Sequence, residues 1–376
     1  MDEIRALPWN GYNAVSTFSG CGGSSTGYRM AGFKVRWASE FIPAAQDSYR
    51  ANMAPYTVLD TRDIRKVQPE DILRASGLDK GEIDLFDGSP PCAAFSTAGK
   101  REAGWGKVKK YSDTEQRVDD LFHEFARLVK GTQPRVFIAE NVSGLVKGTA
   151  KGYFLEILAA LKACGYRVSA KVLDAQWLGV PQARQRLIFC GVREDLRGAD
   201  GKPIQPAHPA PLTYQYTVGE ALNIGQARVI HDTGGQPQYS GGDITDRPSV
   251  TVLHRPHSFS VETEDFIADD LFIDNEVLGK PTWGSLSHAH PTIMASGPHS
   301  VSGHLRNSKT LQRRKFTIAE LKRICGFPDD YILTGTYAQQ WERCGRAVPP
   351  VMMSHIAAAA RSILDAARAG DQARAA

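Results

Sequence analysis

Between residues 14 and 192, short apolar runs alternate with segments whose apolar residues recur at helical spacing. The short runs predict strands, namely AVSTF (14–18), IDLFD (83–87), RVFIAE (135–140) and RLIFCGV (186–192). Two helices are predicted over 118–129 and 154–161, with Gly165 placed to end the second. Alternating strands and helices are typical of βαβ units, so we predict an α/β fold with a parallel or mixed sheet and helices on both faces.

The pattern changes after Arg193. Residues 195–300 are rich in Gly, Pro, His, Ser and Thr and contain only short apolar runs such as SVTVL, which predicts a smaller, loop-rich lobe. Helical spacing returns with FTIAELKRICGF from 316, followed by AVPPVMM and the Ala-rich tail AAAARSILDAARA, which we expect to pack back onto the first lobe as a helix. The predicted division is therefore 1–194, 195–305 and 306–376.

Composition narrows the class of protein. A chain of 376 residues is long enough for one large domain and a smaller one. No run is long and apolar enough for a membrane span, and the first residues, MDEIRALPWNGYNAV, lack the basic and apolar pattern of a secretory signal, so we expect a cytoplasmic protein without membrane contact. The six cysteines form no CxxC pair and no Cys/His grouping, so we expect reduced thiols and no metal.

The net charge of +4 is too small to indicate a nucleic-acid partner by itself. Its distribution is more informative, because basic residues crowd one glycine-containing stretch, with Lys100, Arg101, Lys107, Lys109, Lys110 and Arg117. A second basic group lies at 313–315. Each run taken alone is also compatible with a solvated loop.

The first strand leads into a glycine-rich turn, Ser19-Gly20-Cys21-Gly22-Gly23. A strand, a glycine turn and a helix together allow backbone to approach a ligand at a helix N-terminus. The turn departs from the G-x-G-x-x-G pattern of dinucleotide sites, so a nicotinamide oxidoreductase fits poorly. Glu40, in WASEF, follows roughly twenty residues later, where an acidic side chain can accept hydrogen bonds from ribose hydroxyls.

The strand IDLFD leads into Ser89-Pro90-Pro91-Cys92. Two prolines restrict the approach to the cysteine, which lies at the carboxyl end of a predicted parallel strand, where α/β sheets bind ligands. A basic segment follows it. This setting favours a thiolate nucleophile over an inert buried thiol.

These motifs, in this order, resemble those of the DNA cytosine-5 methyltransferases. FSGCGG is similar to the family's first motif, SPPC to its nucleophile motif, Glu140-Asn141-Val142 to its ENV motif, and Gln182-Ala183-Arg184-Gln185-Arg186 to its QxRxR motif. RKFTIAELKRICGFPDDY and AVPP resemble its last two motifs. The resemblance covers residues 14–192 and about 290–355, and it implies the Rossmann-like fold of S-adenosyl-L-methionine (SAM)-dependent methyltransferases.

The resemblance also implies a set of site residues. Cofactor contacts are expected from the glycine loop and the segments that follow neighbouring strands: Phe18, Ser19, Gly20, Cys21, Gly22, Gly23, Glu40, Phe41, Asp63, Ile64, Asp87, Pro90, Arg346, Ala347 and Val348. Catalytic roles are expected for Cys92, Glu140, Arg184 and Arg186, and DNA contacts for Ser96, Lys100, Arg101, Lys107 and Gln182. The middle lobe would recognise the target sequence.

The implied chemistry explains these residue types. Carbon 5 of cytosine is a weak nucleophile, so Cys92 would add to carbon 6 of a base flipped out of double-stranded DNA. Glu140 would protonate N3 of the base or form a hydrogen bond with it. Arg184 would hold the carbonyl oxygen of the base, and Arg186 would stabilise the adduct or a neighbouring phosphate. The basic segment 97–117 would close over the base. We expect a monomer in the cytoplasm of a bacterial or phage-infected cell.

Two positions depart from the family pattern. Ala93 stands where the family has Gln, and Arg346 stands where it has Asn in G-N-A-V-P-P. Arg346 is interpreted in two ways: it turns outward to a phosphate or nearby carboxylate, or it pairs with the carboxylate of carboxy-SAM, in which case the product is 5-carboxymethylcytosine. A tRNA cytosine-5 methyltransferase and an inactive DNA-binding protein are the remaining alternatives.

Overall fold

The structure is a computed structural model. It describes residues 1–91, 109–111, 114–116, 121–148, 150–222, 228–231, 242–243, 246, 248–250, 259–262, 271–274, 304–307 and 314–375. The strands within 109–116 and 228–315 are described by their backbone.

The strands, in chain order, are β1 (Asn13–Thr17), β2 (Lys34–Ser39), β3 (Val58–Asp60), β4 (Leu85–Gly88), β5 (Lys109–Tyr111), β6 (Thr114–Gln116), β7 (Val136–Val142), β8 (Tyr166–Asp174), β9 (Gln182–Ala183), β10 (Gln185–Arg193), β11 (Arg228–His231), β12 (Gly242–Asp243), β13 (Ser249–Val250), β14 (Phe259–Glu262), β15 (Leu271–Asp274), β16 (His304–Asn307) and β17 (Arg314–Lys315). The helices are α1 (Asp2–Ala6), α2 (Gly23–Met30), α3 (Pro43–Asn52), α4 (Pro69–Ser76), α5 (Leu121–Thr132), α6 (Ala150–Lys162), α7 (Val218–Leu222), α8 (Ile318–Ile324), α9 (Tyr337–Arg346) and α10 (Pro350–Ala375). Short 3₁₀ turns cover Ile64–Lys66, Ser143–Val146 and Ala175–Trp177.

One seven-stranded sheet, in the order β3-β2-β1-β4-β7-β10-β8, forms the centre of the molecule. The pairs from β3 to β7 are parallel, whereas β10 runs antiparallel to both of its neighbours. The predicted α/β class with a mixed sheet is therefore confirmed. The strand order reverses direction between β1 and β4, and such a switch point opens a crevice at the carboxyl ends of the strands.

Both faces of the sheet are buried, because neighbouring residues of a strand point to opposite faces. One face packs against α2 and α10 through apolar residues that include Ala14, Leu85, Val136 and Ile188. The other face packs against α5 and α6 through residues that include Val15, Phe86, Phe137 and Phe189. The apolar runs that predicted these strands are nearly continuous because both faces of the strands are buried.

The Ala-rich tail forms α10 and returns to the first lobe, as expected. Its contact with α2 is close at Gly27, where a Cβ would lie 2.6 Å from the Cβ of Met353. A larger residue at this position would separate the two helices. Because α2 begins at the glycine turn, α10 supports that turn from behind.

Three strands of the central sheet, β2, β3 and β8, are not among the four apolar runs that were named as strands. β8 lies at the edge of the sheet, so only part of it is buried, and polar residues such as Ser169 and Lys171 interrupt its apolar pattern. The antiparallel direction of β10 could not be predicted either, because an apolar run carries no information about the direction of a strand. For these two reasons, the antiparallel β8–β10 hairpin was not predicted.

Two described strand pairs join the middle lobe to the rest of the chain. β13 pairs in parallel with β9, the strand that begins the QARQR segment, and β14 pairs with β17, which leads into α8. Residues assigned to this lobe also reach the core, since Leu196 belongs to the cluster around α10, and Val218 and Leu222 pack with α8 and α9. The boundaries at 194 and 305 stay predictions.

Candidate active site

The candidate site lies at the carboxyl edge of the sheet, around the switch point between β1 and β4. The last paired residues of these strands are Thr17 and Gly88. The glycine turn follows β1, and Ser89-Pro90-Pro91 follows β4. Glu40 follows β2, and Glu140 lies near the end of β7. The sheet therefore collects, at one edge, residues that are up to 120 positions apart in the sequence.

The glycine turn has an unusual backbone. Phe18, Gly20 and Gly22 have φ values of 54°, 56° and 99°, the left-handed region that L side chains rarely adopt. A Cβ on Gly20 would meet no atom within 4 Å, whereas a Cβ on Gly23 would collide with the carbonyl oxygen of Val348. The turn is thus open on the side of Gly20 and closed by the C-terminal segment on the side of Gly23.

Glu40 holds this turn. Its Oε2 accepts a hydrogen bond from the amide of Gly20 at 2.7 Å, and its Oε1 accepts one from the amide of Ile42, also at 2.7 Å. The side chain is 8% exposed, and burial raises its pKa, while the backbone donors at Ile42, Gly20 and Phe41 act in the opposite direction. A carboxylate has about four acceptor positions, so capacity for ribose hydroxyls remains.

Other residues expected to contact the cofactor lie beside the same edge. Asp63 accepts a hydrogen bond from the amide of Arg65 and forms an ion pair with its side chain at 3.0 Å. Ile64 is buried in the core under α5, and Phe41 and Phe18 are half-buried. Asp63 thus shapes the turn that carries Ile64, in addition to any contact with a ligand.

Asp87, another residue expected to contact the cofactor, is almost fully buried. The side chain is 1% exposed, Oδ1 accepts a hydrogen bond from the Tyr28 hydroxyl at 2.8 Å, and Oδ2 accepts one from Ser16 at 2.8 Å. Burial raises its pKa to about 7, with the charge of Glu140 adding to the rise and the two hydroxyl donors opposing it. Its described role is to join β4, β1 and α2 beneath the glycine turn.

The structure describes the chain up to Pro91, the residue before the predicted nucleophile Cys92. The carbonyl oxygen of Pro90 accepts a hydrogen bond from the Asn141 side chain at 3.2 Å, and Asn141 Oδ1 accepts one from the amide of Val142 at 2.8 Å. Asn141 is buried. It ties the end of β4 to the end of β7, a function that its place beside Glu140 in the sequence could have suggested and that the sequence analysis missed.

Several predicted residues lie outside the described residues. They are the nucleophile Cys92, its neighbour Ala93, and the DNA contacts Ser96, Lys100, Arg101 and Lys107. Their roles stay predictions.

Glu140 and Arg186 form a buried ion pair. Arg186 Nε lies 2.7 Å from Glu140 Oε1, and the two side chains are 14% and 11% exposed. The register of the sheet brings them together, because Arg186 pairs with Val142 and Ile188 pairs with Glu140 across β10 and β7. Burial lowers the pKa of Arg186, and the carboxylate of Glu140 opposes that shift.

Arg184 and Gln182 point into the interior between the QARQR segment and the C-terminal segment. Arg184 donates to the carbonyl oxygen of Gly345 at 2.9 Å, and burial lowers its pKa, with the charge of Arg186 acting in the same direction. Gln182 is fully buried, with Nε2 3.4 Å from Cys325 Sγ. A surface contact with DNA, as expected for Gln182, is not among its described contacts, which instead join two segments of the protein.

Arg346 lies in the last turn of α9, where its NH2 group is 2.9 Å from Glu342 Oε1, and its side chain is 40% exposed. The next two residues, Ala347 and Val348, face Gly23 and so line the glycine turn. The structure therefore gives Arg346 a carboxylate partner on its own helix.

The remaining chemistry of the described residues is limited. Five cysteines (Cys21, Cys164, Cys190, Cys325 and Cys344) are buried free thiols. Within the described ranges, no three acidic, His or Cys side chains come together as metal ligands, and none of the described helices combines the length and apolar character of a membrane span.

Comparison with known proteins agrees with this geometry. A family model for the C-5 cytosine-specific DNA methylase matches residues 12–362. Type II methyltransferase M1.HphI of Haemophilus parahaemolyticus is 31% identical over 362 residues, covering 92% of this chain and 85% of that protein. Type II methyltransferase M.NgoPII of Neisseria gonorrhoeae is 28% identical over 375 residues, covering 97% of this chain and 100% of that protein.

Among solved structures, Spodoptera frugiperda DNMT2 superposes with a TM-score of 0.58 at 18% identity, covering 94% of this chain and 99% of that chain. At this identity the likeness supports the fold. The class of fold is therefore α/β, with a mixed seven-stranded sheet and a glycine turn at its switch point. The chain belongs to the C-5 cytosine-specific DNA methylase family, and it is an enzyme.

Proposed function

We propose that this protein transfers a methyl group from SAM to carbon 5 of a cytosine in double-stranded DNA. The observation that carries the proposal is the meeting of two separate constellations at one edge of the sheet. The glycine turn held by Glu40 forms one, and the Glu140–Arg186 ion pair beside Asn141 and Pro90 forms the other. The first suits a nucleoside cofactor, and the second suits a heterocyclic base.

The described residues fit SAM. Gly20 leaves open space where any side chain would project, α2 begins at the end of the turn, and Glu40 retains acceptor capacity for ribose hydroxyls. Ala347 and Val348 close the opposite wall. When bound, SAM would supply the electrophilic methyl group that carbon 5 takes up, with the sulfur–methyl bond breaking and S-adenosylhomocysteine as the leaving group.

The chemistry at the base is assigned to this chain's own residues. The Cys92 thiolate adds to carbon 6 of the flipped cytosine, and the electron pair of the C5=C6 bond moves to carbon 5. After methyl transfer, the hydrogen on carbon 5 leaves as a proton. The electrons of that C–H bond restore C5=C6, which expels the thiolate from carbon 6.

Glu140 and Arg186 act on the ring. Arg186 occupies Oε1 of Glu140, so we assign Oε2 to N3 of the base, where a proton or a hydrogen bond stabilises the electrons displaced by Cys92. Arg186 keeps the carboxylate oriented and balances its charge in a buried place. Arg184 lies behind this pair and adds fixed positive charge near the carbonyl oxygen of the base, as the sequence predicted.

We propose methyl as the transferred group, rather than carboxymethyl. Arg346 already has Glu342 as an anionic partner, which matches the outward interpretation. Carboxy-SAM would require Arg346 to exchange Glu342 for the cofactor. Arg346→Asn should leave the ratio of product formed with SAM to product formed with carboxy-SAM unchanged, and a shift toward SAM would support the carboxymethyl alternative.

The deciding experiment incubates the purified full chain with mixed-sequence duplex DNA, or with tRNA, and with either SAM or carboxy-SAM. The nucleic acid is digested to nucleosides, and modified cytosine is identified by mass spectrometry. Cys92→Ala should abolish the product. Cys164→Ala, at a buried thiol beside α6, should retain it. Methylcytosine in DNA supports the proposal, product only in tRNA favours the RNA alternative, and no product favours a binding protein.

A further inference from the structure

The glycine turn is held not only by residues of its own lobe but also by a tyrosine 310 positions further along the chain. The hydroxyl of Tyr331 donates to the carbonyl oxygen of Cys21, in the middle of the turn. Tyr331 also occupies the space behind Gly22, where a Cβ would lie 2.7 Å from Tyr331 Oη. The tyrosine therefore explains both the direction of one carbonyl and the need for glycine next to it.

The position of Tyr331 is itself strongly determined. The buried ammonium group of Lys322 donates to the carbonyl oxygen of Tyr331 at 2.8 Å. Its neighbour Ile332 exchanges two hydrogen bonds with the side chain of Asn52, at 2.8 and 2.7 Å. The ring packs against Phe327 with 4.7 Å between centroids. A side chain fixed at its backbone and its ring holds its hydroxyl in one place.

The orientation of the Cys21 carbonyl matters for the turn. In a planar trans peptide unit, the carbonyl and the amide of the next residue point in opposite directions, so fixing the Cys21 carbonyl fixes the amide of Gly22. Gly20 and Gly22 flank Cys21, and both have positive φ. Glu40 holds the amide of Gly20 from one side, and Tyr331 holds the carbonyl of Cys21 from the other.

We propose that Tyr331 is a positioning residue of the cofactor site, acting through the Cys21 carbonyl to preorganise the glycine turn for SAM. This inference rests on the proposed function. The contact of Tyr331 with the turn is made through the Cys21 carbonyl. Its effect is expected in the affinity for SAM and not in the rate of the chemical step.

The test is Tyr331→Phe, which removes the hydroxyl and keeps the ring. A matched control exists in Tyr166→Phe, because Tyr166 is equally buried and its hydroxyl donates to a backbone carbonyl, that of Pro134, at 2.7 Å, at the far end of the sheet. Both variants lose one buried hydrogen bond and should lose similar thermal stability. Only Tyr331→Phe should weaken SAM binding, by about tenfold in Kd from one buried bond.

Three measurements keep the outcomes distinct. Calorimetric titration with SAM gives Kd, and steady-state kinetics should show KM for SAM rising while kcat changes less than about twofold. Hydrogen exchange of the cofactor-free protein should be faster in the peptide containing residues 18–24 in Tyr331→Phe alone. Unchanged exchange in that peptide, or equal changes in both variants, would overturn the inference. Absence of SAM binding by the wild-type protein would overturn the proposed function instead, and exchange would still test the positioning.

Discussion

Two buried carboxylates at the same edge of the sheet are held in different ways. Glu40 and Glu140 are both buried, and each has a described partner at 2.7 Å. The partners of Glu40 are backbone amides, whereas the partner of Glu140 is the guanidinium group of Arg186. Amides orient a carboxylate without balancing its charge, while a guanidinium group does both.

The difference fits the work proposed for each residue. A neutral ribose needs acceptors in fixed positions, and the amides of Gly20 and Ile42 provide that rigidity for Glu40. At the base, charge develops during the reaction, and a fixed cation beside the carboxylate stabilises that charge. On the cofactor side, the contacts fix the position of a carboxylate. On the base side, the contact also balances the charge of a carboxylate. Four experiments can break or sharpen this contrast.

The largest effect is expected at the base side. Glu140→Gln should lower the rate of methyl transfer roughly 100- to 1,000-fold, because the carboxylate can no longer manage charge at N3. The Kd for SAM should stay within about twofold of the wild-type value, which titration calorimetry checks. Glu124→Gln removes a comparable pairing with Arg127 on α5 and should leave the rate unchanged. Equal losses in both variants would contradict the assignment.

On the cofactor side, two glycines provide a contrast of space. Gly23→Ala places a methyl group against the backbone oxygen of Val348, and we expect a loss of about 1–3 kcal/mol in unfolding free energy together with weaker SAM binding. Gly20→Ala meets no atom and should cost only about 1–2 kcal/mol from its left-handed backbone. Thermal denaturation of both variants, with and without SAM, measures the difference. A Gly20 variant more damaged in its fold than the Gly23 variant would show that the turn is closed on the other side.

Glu40→Gln tests the amide-held carboxylate. An amide nitrogen would face one of the two backbone donors, so one hydrogen bond to the turn is lost, and we expect Kd for SAM to rise about tenfold with little change in kcat. Glu82→Gln is the matched variant, since Glu82 accepts from the amide of Asp79 in an exposed turn. If kcat falls as much as affinity does, Glu40 belongs with the groups that act in the reaction.

The smallest effect concerns pH. The pKa of Asp87 is raised to about 7, mainly by burial, so the folded protein binds this proton more tightly than the unfolded chain does. The stability from this group is present below the unfolded pKa near 3.9 and is lost as pH rises through about 7, with a slope of at most about 1.4 kcal/mol per pH unit. Urea denaturation between pH 4.5 and 7.5 should show a shallower decline for Asp87→Asn. Parallel curves for the two proteins would contradict the shift.

Much of the first lobe could be predicted from the sequence. Strands buried on both faces give short apolar runs, and four of them were located within two residues or so of their observed positions. The half-exposed β8 left no such run, and direction is invisible in apolar spacing, so the antiparallel β8–β10 hairpin was missed. The Ala-rich tail was predicted as a helix because its composition and spacing suit one.

The residues of the candidate site were predicted from motifs, and the structure adds the contacts of those that it describes. Glu40 and the glycine turn do meet, as the order of motifs implied. The interior positions of Asp87 and Gln182 could not be foreseen, because a polar residue in a motif does not reveal which way its side chain points. Asn141 was passed over in favour of its ionisable neighbour, although it is the residue that ties β7 to the end of β4.

The sequence by itself determined the class of fold, the family and the residue types available for catalysis, because those depend on periodicity and on short motifs. Tertiary structure alone decided which of those residues share a site and which partners they have. The pairing of Arg186 with Glu140 depends on sheet register, and the reach of Tyr331 to Cys21 spans most of the chain. Such contacts come from the packing of distant segments, and local sequence contains no record of that packing.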